Sequence, residues 1–242
     1  MSAAGTTERR WLTPIPFLLA AIVLALGACS GAVRFEPDTP GFHTVRKSDT
    51  LYSIAFRNEL NWRELADWND IDPPYTIEIG QKLRLTPPLN ITTVPPPKSG
   101  TAAKPRPKPR PPLPSGPPSK FAWTWPADGR VAANFNAANP TGKGVDIAGT
   151  YGNEVRAAAD GRVVYVGSGL VGYGKVIIVK HDDRYLSAYA HNDDFLVREG
   201  EAVKRGQRIA TMGLGPGQRP MLHFEIRLDG RAVDPQRLLP KR

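Results

Sequence analysis

Gly174-Lys175-Val176-Ile177-Ile178-Val179-Lys180-His181 decides how the larger part of this chain folds. Its centre is β-branched and apolar at four successive positions, whereas a strand with one wet face would alternate with period two. Such a run predicts a strand buried on both faces. Its neighbours agree with it. Gly161-Arg162-Val163-Val164-Tyr165-Val166-Gly167 reads as a second strand, and Asp182-Asp183 as the turn into Tyr185-Leu186-Ser187-Ala188-Tyr189-Ala190-His191. Arg198-Glu199-Gly200 and Lys204-Arg205-Gly206 supply further turns, and residues 224–228 a late strand. Many short strands cut by glycine, with little helical periodicity, predict an all-β antiparallel sandwich for residues 121–242. That length suffices for one core.

The whole chain has 242 residues, a net charge of +9 and 25 prolines. The prolines cluster in residues 87–120, where Lys98, Lys104, Arg106, Lys108, Arg110 and Lys120 add positive charge without an acidic residue. Too few apolar side chains are present there for a core. The segment predicts a disordered, polyproline-rich linker that reaches on the order of 100 Å when extended. The charge suits nucleic acid, phospholipid or an anionic cell wall. Nucleic acid is set aside, because no aromatics interleave with the basic residues to stack on bases.

One cysteine, Cys29, excludes an intramolecular disulfide. Its position is informative. Arg9-Arg10 precede an apolar run from Trp11 to Leu26, which closes in Leu26-Gly27-Ala28-Cys29. A basic flank, a short apolar stretch and small residues before a cut describe an export signal over residues 1–28. An uncut N-terminal anchor is the other reading. The ending resembles a bacterial lipobox, which implies lipidation (palmitate among the chains) on Cys29, followed by a spacer over 29–41. Several acyl chains would hold the protein firmly. Ser30, rather than Asp, implies by that resemblance the outer membrane, facing the periplasm.

Residues 42–86 read as strand, helix, helix, strand. Ser48 or Asp49 is expected to cap the first helix, in which Leu51, Ile54 and Ala55 recur at helical spacing. Asn61 is expected to cap the second, with Glu64 at the capping-box position and Leu65 and Trp68 facing inward. Residues 81–85 close the module. The ordered signals Ser-Asp-Thr-Leu, Ile-Ala, Trp-Asn and Gly-Gln-Lys-Leu resemble the LysM domain, a small α+β (βααβ) fold. The resemblance implies peptidoglycan binding in a groove between two loops, with Ser48, Asp49, Thr50, Leu51, Asn69 and Ile71 as contacts. Capping alone is the other reading for Ser48 and Asp49, and core packing for Trp62 and Trp68.

In the β domain, Gly142-Lys143-Gly144-Val145-Asp146-Ile147-Ala148, Tyr189-Ala190-His191 and Met221-Leu222-His223-Phe224-Glu225-Ile226-Arg227 resemble the site of LytM/lysostaphin-type zinc metallopeptidases. The family's ligands are a His four residues before an Asp, that Asp, and the second His of a His-x-His pair. By position these are Gly142, Asp146 and His223. Its two charge-stabilising, proton-handling histidines map to His191 and Met221. Glycine offers no ligand, and a thioether is neither acid nor base. The resemblance therefore implies a cleft that has lost hydrolysis, with no metal or other cofactor and with Asp146, His191 and His223 as remnants. Other roles for Asp146 and His223 are a turn cap and a satisfied interior histidine. His181, beside a turn, reads as solvated. Tyr173, Tyr189, His191, Met221 and Arg227 suit a groove for a partner's peptide or helix, although both tyrosines also suit the core.

Lipobox, LysM, linker and degenerate LytM domain together resemble the NlpD-like divisome lipoproteins. That resemblance implies a non-enzymatic activator of periplasmic N-acetylmuramoyl-L-alanine amidases that acts in splitting septal peptidoglycan. The alternatives are an active zinc endopeptidase with substitute ligands such as His181, and a structural lipoprotein that only tethers the wall.

Overall fold

The computed structural model describes residues 39–88, 121–139 and 142–242. The export signal, Cys29 with most of its spacer, and the linker beyond Pro88 lie outside the described residues. The small module runs β1 (Phe42–Thr44), α1 (Leu51–Arg57), α2 (Trp62–Asp67) and β2 (Lys82–Arg84), with β1 and β2 antiparallel. Thr50, not Ser48 or Asp49, caps α1. Its hydroxyl accepts from the Ser53 amide at 3.0 Å while the Ser53 hydroxyl accepts from the Thr50 amide at 3.0 Å, a reciprocal box that only this register closes. Asn61 caps α2 as expected, accepting from the Arg63 amide at 2.9 Å. Leu51, Ile54, Phe56, Trp62 and Leu65 fill the core, and Trp68 is half-buried. Trp62 sits between Tyr52 at 4.9 Å and Tyr75 at 5.0 Å, so the core reading holds for it.

The large domain is antiparallel and all β, as the glycine punctuation predicts. In chain order it comprises β3 (Arg130–Ala133), β4 (Val145–Ala148), β5 (Glu154–Arg156), β6 (Gly161–Gly167), β7 (Lys175–Lys180), β8 (Tyr185–Phe195), β9 (Ala202–Val203), β10 (Arg208–Met212), β11 (Met221–Leu228) and β12 (Arg231–Val233). The main ladder runs β3-β4-β11-β8-β7-β6-β9, with β12 paired to β11, and with β10 paired to both β8 and β5. The β-branched run Val176-Ile177-Ile178-Val179 lies in β7, and both its faces are buried. Ile177 and Val179 join the domain's own core with Tyr189, Phe224 and Ile209. Val176 and Ile178, with Leu186, Ala188 and Ala190 of β8, join Leu51, Ile54, Ala55 and Phe56 of the small module in a second core. The second apolar face is thus covered by the other module of the same chain.

Polar contacts ring that seam. The Thr50 hydroxyl donates to the Val164 carbonyl at 3.3 Å, and Arg63 pairs with Asp183 at 2.6 Å. The Lys180 ammonium lies 4.7 Å from the centre of the Trp62 ring. Glu59 pairs with Lys143.

Candidate functional site

β4, β11 and β8 lie side by side, and their register sets His223 opposite Asp146 on one side and Ala190 on the other. His223, Glu225 and Arg227 follow one another at alternate positions of β11, so all three side chains emerge on one sheet face. There they form one connected chain. His223 Nδ1 meets Asp146 Oδ1 at 2.7 Å, and His223 Nε2 meets Glu225 Oε1 at 3.1 Å. The Tyr173 hydroxyl donates to the same Oε1 at 2.8 Å. Glu225 Oε2 accepts from Arg227 Nε at 2.9 Å and Nη2 at 2.8 Å. Arg227 Nη1 then donates to the Phe56 carbonyl of the small module at 2.8 Å.

Glu225 is 0 % exposed and Arg227 2 %. Burial of this kind is tolerable only because every charge has a partner. For His223, burial opposes the charged ring, but the bonds to Asp146 and Glu225 outweigh it and raise the pKa to about 9. Glu225 shows the opposite balance. Burial pushes it up, yet His223 and Arg227 hold it below the ordinary glutamate value. An imidazolium with both nitrogens engaged therefore occupies the centre of the site. His191 lies alongside, its ring 6.3 Å from that of His223. Burial first, and the nearby His223 charge second, lower its pKa. Its backbone is left-handed, with φ 63°. Gly215 backs onto both His191 and the half-buried Met221.

These residues do not fit the zinc that the fold family implies. A catalytic zinc takes three protein ligands. Asp146 and His223 bond to each other where each would have to face an ion. Position 142 is also closed. A Cβ there would come within 2.9 Å of the Asn136 carbonyl oxygen and within 3.2 Å of the Asn139 side chain. The backbone holds this arrangement, since the Asn136 amide donates to the Gly142 carbonyl at 2.8 Å. Among the described residues, no three His, Cys, Asp or Glu side chains are grouped as a metal site. His181 cannot substitute. It stands at the far end of β7, bonded through Nδ1 to the Asp160 carbonyl and through Nε2 to Ser187, each at 2.7 Å. It is not the solvated histidine its turn suggests: both ring nitrogens are bonded, and burial lowers its pKa to about 4.

Residues 140–235 match Peptidase family M23, and residues 43–86 match the LysM domain. The chain is 42% identical to Lipoprotein NlpD/LppB homolog of Pseudomonas aeruginosa, across 89% of this chain and 82% of the relative. The chain belongs to the NlpD/LppB lipoprotein family. It is also 42% identical to Uncharacterized lipoprotein YgeR of Escherichia coli, across 98% of this chain and 96% of that protein. Murein hydrolase activator NlpD of Escherichia coli is 37% identical, across 83% of this chain and 68% of that protein.

Within the M23 domain the sequence-derived site is brought together only in part. Asp146, His191, His223 and Met221 assemble at one spot, and Tyr173 packs 5.9 Å from the His223 ring. Tyr189 and Arg227 do not line a free groove. Tyr189 is 0 % exposed, with its hydroxyl held by the Ala158 amide and Ser187. Arg227 is sealed beneath the LysM module. Glu225, the hub of the network, received no role from the sequence. Its signal was the alternation of three ionisable residues in an otherwise apolar strand. The exposed apolar side chains nearby sit on loops, Tyr151 after β4, Val171 before β7 and Leu214 before β11.

The LysM contact set also divides. Ser48 is exposed, and Thr50 and Ile71 are half-buried. Leu51 is core. Asp49 spends its carboxylate inside the module, on His43 at 2.8 Å and Arg57 at 3.1 Å. Asn69 is a structural pin that ties α2 to β2. Its side-chain amide donates to the Leu65 and Arg84 carbonyls and its oxygen accepts from the Arg84 amide at 2.6 Å.

Proposed function

We propose that this chain is a non-catalytic activator of periplasmic N-acetylmuramoyl-L-alanine amidases, acting where septal peptidoglycan is split. The observation that carries the reading is the bond between Asp146 and His223. Two residues of a zinc ligand set are retained but turned on each other, and the third position is a glycine walled in by Asn136. A fold that keeps its frame while disabling its metal site is suited to binding rather than hydrolysis. The relatives named murein hydrolase activators support the same reading. The cleft bounded by His191, Met221 and Tyr173, with Leu214 and Tyr151 on neighbouring loops, offers apolar and aromatic contacts to a partner helix. Ser48 and Ile71 of the LysM module are the contacts left for glycan, since the Thr50 hydroxyl caps α1 and bonds the Val164 carbonyl. Lipid on Cys29 would tether the protein to the outer membrane, and the linker would give it reach. The test mixes the protein with a periplasmic amidase and dye-labelled sacculi. Dye release well above that of the amidase alone is expected, and an unchanged rate would refute the proposal.

A further inference from the structure

We propose that the LysM module is a clamp in cis on the degenerate cleft, closing it until the module lifts off the M23 sheet. The inference rests on the activator reading above and assigns that site its regulation.

The seat for the module is built into the sequence. β7 and β8 carry Val176, Ile178, Leu186, Ala188 and Ala190 on their second face, where a sheet facing water would carry polar residues. Leu51, Ile54, Ala55 and Phe56 cover it. The seat fits closely. At Gly230, in the turn from β11 to β12, any Cβ would lie 2.3 Å from the Leu60 carbonyl group and 2.6 Å from the Asn61 nitrogen.

The seated module grips two segments that border the cleft. Glu59 pairs with Lys143, three residues before Asp146. Phe56 packs edge-on against Tyr173 at 5.5 Å, and Tyr173 holds Glu225. The Arg227 guanidinium stacks 3.6 Å from the Phe56 ring centre while bonding the Phe56 carbonyl. The polar chain from Asp146 therefore ends on the backbone of the LysM helix.

The charged groups of the seam do not lock it shut. When the module leaves, Arg227 and Glu225 keep each other, so no buried charge is stranded alone. The bridges at the rim, Glu59 with Lys143 and Arg63 with Asp183, are partly exposed and so contribute little. The linker is long enough to let the module go. Opening would free Lys143 and Tyr173 at the cleft wall for a partner.

The test uses the full chain. A zero-length carbodiimide should join Lys143 to Glu59 as an amide, read by mass spectrometry, and amides 142–144 and 170–173 should exchange slowly with deuterium. Gly230→Asn wedges the seam while keeping a residue that tolerates the left-handed turn. Glu59→Lys sets like charges together. Either variant should speed exchange of those amides roughly tenfold, Gly230→Asn should lose most of the cross-link, and amidase activation should rise severalfold. Unchanged exchange in both variants would overturn the clamp, as would faster exchange with no gain in activation over an active wild type. If cross-link and exchange respond but no form activates an amidase, the clamp stands and the activator reading falls.

Discussion

Removing the charge on His223 should unfasten the centre of the site. Its pKa is raised from 6.5 to about 9 by Asp146 and Glu225 against the cost of burial. A raised histidine pKa contributes stability that is fully present below pH 6.5 and is lost as pH climbs through 9. At roughly 1.4 kcal/mol per pH unit, the rise corresponds to about 3 kcal/mol. Urea unfolding of the wild type should therefore show stability falling by about that amount between pH 6.5 and pH 10. His223→Gln should remove most of that slope, since its side chain does not titrate. Lysine and tyrosine titrations remain in both proteins and cancel in the comparison. Histidine NMR supplies the direct reading, a ring that stays protonated to about pH 9. A His223 titrating at or below 6.5, or identical pH slopes in both proteins, would refute the reasoning.

Gly142→His should not restore zinc, because the Asn136 backbone already occupies the space a side chain needs; elemental analysis should find well under one zinc per chain, and stoichiometric metal would contradict this. Asn69→Ala should cost about 1–3 kcal/mol by orphaning the Arg84 amide and two carbonyls, measurable as a lowered urea midpoint, with Asn69→Asp restoring only the acceptor. Tyr189→Phe should destabilise by a similar amount, about 1–3 kcal/mol, because the Ala158 amide and Ser187 hydroxyl lose their shared partner. Acid should loosen the site as well. Glu225 sits below its ordinary value, so its stabilisation is present above that value and disappears as pH falls through the depressed pKa, which near-UV circular dichroism would follow.

The fold was legible where periodicity speaks. The unbroken run at 176–179 reads as a strand buried twice, and it is. What the run does not say is that the second cover is the LysM module, because that contact joins segments more than a hundred residues apart. The cap of α1 was misplaced because Ser48, Asp49 and Thr50 are all capping residue types, and only geometry picks Thr50. Asp49 and Asn69 carry side chains suited to sugar, yet the module uses them to satisfy its own backbone and His43. At the cleft, Gly142 and Met221 stood out as departures from the metallopeptidase motif the sequence resembles. The consequence was not visible, namely that Asp146 and His223 close on each other and that Glu225 and Arg227 extend the network to Phe56. Arg227 looked available because arginines are usually exposed; stacking on Phe56 and pairing with Glu225 explain why this one is not.

The most direct test is the composition of peptidoglycan fragments after sacculi are incubated with this protein, with an amidase, and with both. A cleft that binds without cutting predicts no change with the protein alone. With both, it predicts a large increase in free stem peptides whose cross-links are intact. Cleaved cross-links produced by the protein alone would contradict the account.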